Sequence, residues 1–567
     1  MNRFILLAVT ILALTIQAYG ESRLERRGSS TGLVVDGKPF FIIGGETGNS
    51  MASCPKDVAI CMRKAEKHGY NTVLIPATWE LIEPSEGSFD FTSIDEIIRQ
   101  ANEKELKVVL LWFGAWKNSM SCYAPSWFKA DTKRFPRART REGKPLEIAS
   151  AFSDKVYEAD SKAFSRLLRH IAETDTAGTV IMLQLENEIG MLEDARDHSP
   201  LALAEYKKGV PPGLIAHLNK NKKSLHPQLK EKWQAAGMKL KGSWAEVFGD
   251  DIYTDEIFMA WNYGLYVERL AKEARKVFPD MPLYVNAAMN SRGRRPGEYP
   301  SAGPLAHLKD IWHAAAPTLD FLSPDLYDKG FTDWVAAYAL PDNPLFIPEI
   351  KTARGNCAQA HYIIGEYGAI GLSPFAYNLR RYSDAAYQRE GNLRLRSLFP
   401  LLAVCQGKGM TNGFYFDADS TVRVIDRDGL RITAKHYFTL PWDPRATDGS
   451  EWPATGGLII RLSPMEYIVA GSGIVLTFEP SGSATASGSN LGEDGFLNSA
   501  SDRSSTDSPK WHGKRIGLSS VKEVEVAPDG TLGRIRTFNG DETHQGRHVR
   551  IGVDNFKILH VKLYEYE

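Results

Sequence analysis

Two glutamates have surroundings that suit paired acid chemistry. Glu188 lies in Gln184-Leu185-Glu186-Asn187-Glu188-Ile189-Gly190, and Glu349 in Pro348-Glu349-Ile350-Lys351. Each directly follows a short apolar run. Two carboxyls at one mouth can cleave a glycosidic bond with retention of configuration. One protonates the leaving oxygen; the other attacks the anomeric carbon and is later displaced by water. The acid must keep its proton near neutral pH, which burial and a second carboxylate beside it both favour. Asn187 can hydrogen-bond a sugar 2-hydroxyl, a contact that strengthens as positive charge develops on the ring. Glu186 alternates with Glu188 along an extended run, so one of the two faces away. Glu188 lies nearer the C-terminal end and follows Asn187, so it is the one expected in the site. A lone Glu after an apolar run is ordinarily a solvated loop residue, and it is the pair that argues for chemistry.

Those residues need a frame. From Thr31 to about Gln406, apolar runs alternate with helical patterns: Pro39–Gly44, Asn71–Ala77, Lys107–Phe113, Thr179–Leu185, Met281–Asn286, Asp320–Ser323, Pro344–Ile347 and Ile370–Tyr377. The runs are apolar throughout, as strands are when both sheet faces are covered. Between them, Asp57–His68 stops at Gly69, and Ser93–Lys104 opens with Ser93 as N-cap and Glu96 three residues on. Asp160–Glu173 places Phe164, Leu167, Leu168 and Ile171 at helical spacing. The pattern predicts an α/β fold, a (β/α)8 barrel over residues 30–410. An open doubly wound sheet is the alternative, but no GxGxxG follows a strand. Residues 191–278 exceed what one helix needs and read as an inserted helical excursion over the catalytic face. Residues 411–567 change texture, with short β-like runs between Gly, Asp and Ser clusters, and read as a β-rich accessory domain. Ser481–Ser508 reads as a loop.

Barrel catalysis sits at the C-terminal strand ends, which gives further candidates. Trp112, Trp116 and Trp79 could stack on sugar rings or pack under the loops. Tyr327 could hydrogen-bond Glu349 and hold it ionised, and Tyr377 could line the sugar subsite. Glu46 ends the first run, to orient the site or to form a salt bridge. Lys117 and Lys351 lie near the mouth, where either would favour an ionised nucleophile.

These same residues resemble a known family. Leu33–Glu46, Asn71-Thr72-Val73, Trp79, Glu83-Pro84 and Gly87–Phe91 are similar to the N-terminal half of glycoside hydrolase family 35 β-galactosidases. "QLENEIG" at 184–190 resembles that family's "QxENEYG". The resemblance implies Glu188 as acid/base, Asn187 on the sugar and Glu349 as nucleophile, with no metal or organic cofactor. Thr47-Gly48-Asn49 replaces the family's His-Tyr, and Ile82-Glu83-Pro84 its "HEP". Trp112–Asn118 stands where it has Ala-Glu-Trp, and Pro348-Glu349-Ile350 replaces "SEF/SEY", while Ala124–Phe128 resembles its "LPAWL". The implied activity is an exo-β-galactosidase in a divergent branch. A β-glucosidase, β-mannosidase or arabinosidase, or a non-catalytic carbohydrate-binding protein on the same fold, are the alternatives.

Composition bounds the rest. The 567 residues carry 68 Lys and Arg against 69 Asp and Glu, so no basic excess marks a nucleic-acid partner. The partner expected is a carbohydrate. Residues 1–20 read as a secretory signal, with Arg3, an apolar run from Phe4 to Ile16 and Ala18-Tyr19-Gly20. About thirteen apolar residues fall short of the ~20 that span a bilayer. The expectation is an exported chain, periplasmic or secreted, with no integral membrane segment once the signal is removed. Five cysteines without CxxC spacing point to free, mostly buried thiols, with one disulfide as the alternative. HExxH, GxSxG and GxxxxGK[ST] motifs are absent.

Overall fold

The computed structural model describes residues 21–290, 292–379, 384–481 and 514–567. The signal segment at 1–20 and nearly all of Ser481–Ser508 lie outside the described residues. Eight parallel strands close a barrel: β1 (Ile42–Glu46), β2 (Thr72–Thr78), β3 (Lys107–Lys117), β4 (Val180–Asn187), β5 (Leu283–Ala288), β6 (Phe321–Leu326), β7 (Phe346–Ile350) and β8 (Gly371–Pro374). Neighbours in the barrel follow chain order, and closure comes where Gly371 of β8 pairs with Ile42 of β1. Each apolar run in the sequence forms one of these strands.

Continuous apolarity follows from two covered faces. Ile42, Leu74, Val109, Leu111, Phe113, Tyr284, Phe321 and Phe346 point into the barrel as one cluster. The alternate residues Phe41, Ile43, Val73, Ile75, Val108 and Leu110 pack outward under the helices. The strands Ser22–Arg27, Ser30–Val35 and Lys38–Phe40 form an antiparallel meander whose Leu33 and Val35 join the inner cluster.

Helix α1 (Pro55–His68) ends on Gly69 at φ 72, whose amide reaches the carbonyls of Ala65 and Glu66. The next helix corrects an expectation. α2 (Thr92–Glu103) has Phe91 at its N-cap, and Thr92 donates its backbone N–H to Asp90 Oδ1 at 2.9 Å, so Ser93 is inside the first turn. Glu96 is occupied by Arg99 and Gln100 instead of closing a capping box. α3 (Asp154–Thr174) starts six residues before the expected Asp160, capped by Ser153, and this places Asp160 in its buried interior.

After β4 come four short helices, Pro200–Tyr206, Pro212–Lys220, Pro227–Ala235 and Trp244–Phe248. The 26-residue α4 (Ile252–Val277) follows them, capped by Asp251. Beyond the barrel a six-stranded and a four-stranded antiparallel sheet enclose a second core. Four of their strands, Leu430–His436, Arg515–Val526, Leu532–Phe538 and Val549–Ile551, escaped the sequence reading because charged residues interrupt their apolar pattern. No helix among the described residues is long and apolar enough to cross a membrane. All five cysteines are unpaired.

Candidate active site

β4 and β7 deliver Glu188 and Glu349 to the same spot. With Asp325 at the end of β6 they form a buried trio whose carboxylate oxygens lie within 4.8 Å of one another. β6 and β7 set Asp325 beside Glu349 in direct register. Glu188 sits just past β4 with φ 45, a left-handed turn that swings its side chain over the barrel end. Its backbone N–H donates to Asn286 Oδ1 at 3.0 Å, and Asn286 Nδ2 donates to Asp325 Oδ2 at 2.7 Å. One asparagine thereby ties two of the acids together.

Electrostatics separate the acids. Burial, and then the charge of Glu349, push the Glu188 carboxyl up to about 7, against the lowering pull of Lys117. Burial first, and then Glu349 and Glu188, likewise hold Asp325 well above the usual carboxylate range. Glu46, at the end of β1, is raised well above the usual carboxylate range by burial and then by the charge of Glu349. Lys117 ends β3 among all four. Burial alone would lower its pKa, but Glu188, Glu349, Glu46 and Asp325 outweigh that and hold it up. Asn118 Nδ2 donates to Glu188 Oε2, and the Tyr327 hydroxyl donates to Glu349 Oε1. Burial and Glu349 raise Tyr327, so it keeps the proton it donates.

Several polar atoms facing this spot are buried without a hydrogen-bond partner: both amide atoms of Asn187, Asp325 Oδ1 and Glu349 Oε2. Buried polar groups are rarely left so. A polyhydroxylated ligand is the kind of molecule that would satisfy donors and acceptors clustered this way.

Of the residues singled out in the sequence, the structure brings together Glu188, Glu349, Asn187, Tyr327, Glu46 and Lys117. It takes three aromatics elsewhere. Trp112 is buried, donating Nε1 to Asp160 Oδ1 at 2.9 Å beneath α3. Trp116 is fully buried edge-on against Tyr263 and Tyr266 of α4. Tyr377 is fully buried and donates its hydroxyl to the Cys61 carbonyl at 3.0 Å, packed on Tyr70. None offers a face to a sugar, which corrects the stacking and subsite expectations for these three. Trp79 is also core, with Nε1 on Glu83 Oε2 at 3.0 Å. Lys351 is exposed, outside the carboxylate cluster.

Asp325, Asn118 and Asn286 were not found from the sequence. Their signal was a lone polar residue at the end of an otherwise apolar run, as in Leu322-Ser323-Pro324-Asp325 and Val285-Asn286. That signal is weak, because solvated strand ends look the same.

Fold and site together define a (β/α)8 protein with paired acids at the C-terminal mouth of its barrel. Residues 32–241 match the model of glycosyl hydrolases family 35, which shows the resemblance to that family for this part of the chain. Residues 394–550 match a domain of unknown function, DUF5597. A β-galactosidase of Xanthomonas manihotis is 29% identical over 178 residues, 30% of this chain and 27% of that protein. The chain thus spans about a quarter of the length of that curated relative. Among solved structures, a β-galactosidase from Rahnella sp. R3 aligns at TM-score 0.43 and 14% identity, covering 64% of this chain and 57% of that one. A family 42 β-galactosidase from G. stearothermophilus aligns at TM-score 0.44 and 15% identity, with the same coverages.

Proposed function

We propose that the protein is an exported retaining exo-β-glycosidase, a β-galactosidase releasing terminal galactose from oligosaccharides or polysaccharides. The observation that carries this reading is the approach of Glu188 and Glu349 oxygens to within 4.8 Å at one barrel mouth. Retaining enzymes place their two carboxyls about 5–5.5 Å apart, while inverting ones leave about 6.5–9.5 Å for a water. In the first step Glu188 gives its proton to the glycosidic oxygen as Glu349 bonds to the anomeric carbon. In the second, the now ionised Glu188 takes a proton from water, which displaces Glu349 and leaves the product with the original configuration. Tyr327 holds Glu349 in place, and Asn187 is free to meet the 2-hydroxyl. No step calls for a metal or an organic cofactor.

The test uses nitrophenyl glycosides with wild type and Glu349→Ala. Hydrolysis of the β-galactoside should vanish in the variant and return with azide, giving the α-galactosyl azide. A variant as active as wild type would remove Glu349 from the chemistry. One observation favours a second reading, the same mechanism on another sugar. Lys117 puts a buried ammonium in the segment where family 35 has Ala-Glu-Trp. Activity confined to a different β-glycoside in the same panel would select it.

Residues 1–20 are read as a secretory signal that sends the protein to the periplasm or the medium. Intact-mass measurement of protein recovered from those fractions should show the leader removed near Gly20. A full-length chain retained inside the cell would refute export.

A further inference from the structure

Glu186 is a buried acid that the proposed chemistry does not use. It lies two residues before Glu188 and is itself left-handed, at φ 58. Its side chain points away from the carboxylate trio, into the seam between β3, β4 and α3. There Oε2 accepts the backbone N–H of Trp116 at 2.8 Å and Oε1 that of Ala115 at 3.3 Å. Its carboxyl faces that of Asp160, and burial first, then Asp160, hold it well above the usual carboxylate range. Asp160 is fixed in turn by Trp112 Nε1 at 2.9 Å and the Tyr266 hydroxyl at 2.6 Å.

The position of those two amides matters. β3 and β4 pair Trp112 with Leu185 and then Lys117 with Asn187, so Phe113–Trp116 on β3 stand opposite Glu186 alone. This is an enlarged β-bulge, and its inner amides have lost their ladder partners on β4. The Glu186 carboxyl takes the place of the missing strand. Beyond the bulge the pairing resumes: Asn118 N donates to the Asn187 carbonyl at 3.1 Å, and Ser119 N to that of Glu188 at 3.2 Å. The bulge therefore decides where Lys117 and Asn118 stand. A side chain at Gly114 would collide with both carboxyls, since a Cβ there lies 2.6 Å from Asp160 Oδ1 and 2.8 Å from Glu186 Oε1.

We propose that Glu186 is a positioning residue: backed by Asp160, it holds the β3 bulge and so aims Lys117 and Asn118 at Glu188. The inference rests on the reading of Glu188 as the acid/base. Lys117 and the Asn118 amide both favour the ionised form of Glu188, so losing their aim raises its proton affinity. A merely structural role would lower stability and leave that affinity alone.

The experiment compares Glu186→Ala, Glu186→Gln and Asn118→Ala, singly and with Glu186→Ala combined with Asn118→Ala. The basic limb of kcat/KM, which reports the free enzyme's acid, should move to higher pH by about one unit in Glu186→Ala. It should return in Glu186→Gln, whose amide can donate to Asp160 and still accept from Trp116. The shifts from Glu186→Ala and Asn118→Ala should not add, because one acts through the other. Should Glu186→Ala fail to accumulate as folded protein, Glu186→Asn withdraws the side chain by one methylene and carries the same expectation. An unmoved limb, or additive shifts, would overturn the proposal. Glu188 is also titrated directly in carbon-13 glutamate-labelled protein, its signal assigned with Glu188→Gln. A shifted titration in protein that cleaves no glycoside would sustain the positioning role and sink the glycosidase reading; an unshifted titration in an active enzyme does the reverse.

Discussion

Glu188 must hold a proton to act as an acid, and burial together with Glu349 lets it do so up to about pH 7. Activity should therefore fall as pH rises through about 7. A stability effect of the same sign follows. A carboxyl whose folded pKa lies above its unfolded one stabilises the protein fully below the unfolded value, and that contribution is lost as pH rises through the folded value. Between about pH 4.5 and 7, thermal melts of wild type should decline relative to Glu188→Gln, which has no proton to lose there; parallel melts across that range would contradict the raised pKa. Glu188 and Glu349 were legible in the sequence because each closes an apolar run and the two runs share a barrel. Tyr327 followed by the same reasoning. Asp325 was not legible, because one polar residue ending one run carries no period and acquires meaning only through the neighbour that register sets beside it, Glu349.

β3 shows where strand reading loses detail. The apolar run Lys107–Phe113 announced a strand, but the strand continues to Lys117 through the bulge. Alternation fails inside a bulge, so the sequence could not say which way Trp112 and Trp116 would point. Both proved to be packing residues under α3 and α4, and the side chains that reach the mouth are the two that follow. The bulge also fixes the need for a glycine. A Cβ on Gly114 would lie 2.3 Å from Trp112 Nε1, with the Asp160 and Glu186 carboxyls next nearest. Gly114→Ala should destabilise the fold by about 1–3 kcal/mol, as overpacking of a filled interior does. Denaturant melts measure this, and a loss below about 0.5 kcal/mol would mean that the seam can open without strain.

At the scale of the molecule, the barrel and the six-stranded C-terminal sheet meet along α5 (Asn356–Tyr367). Gly365 there lies so near the Asn412 carbonyl and Leu458 that a side chain would not fit. Leu458, Ile460, Ile468 and Ala470 of the six-stranded sheet belong to the same buried cluster as the barrel's outer face. Calorimetry should accordingly show barrel and sheets melting in one transition; two separate transitions would show the seam to be weak. The sequence marked the change of texture near residue 411, but it could not reveal the shared core, because the residues that form it come from runs that each look complete alone. Closure of the barrel carries a consequence in time. β1 has one barrel neighbour, β2, soon after it is made, and waits for β8 to supply the other, since Ile42 pairs with Gly371. At ~5–20 residues per second of synthesis, the first strand spends from about a quarter of a minute to a minute with an open edge. Nascent chains of this protein are exposed to mispairing over that interval, and a companion that shields the edge would act there, while the two acids of the pair are still being made.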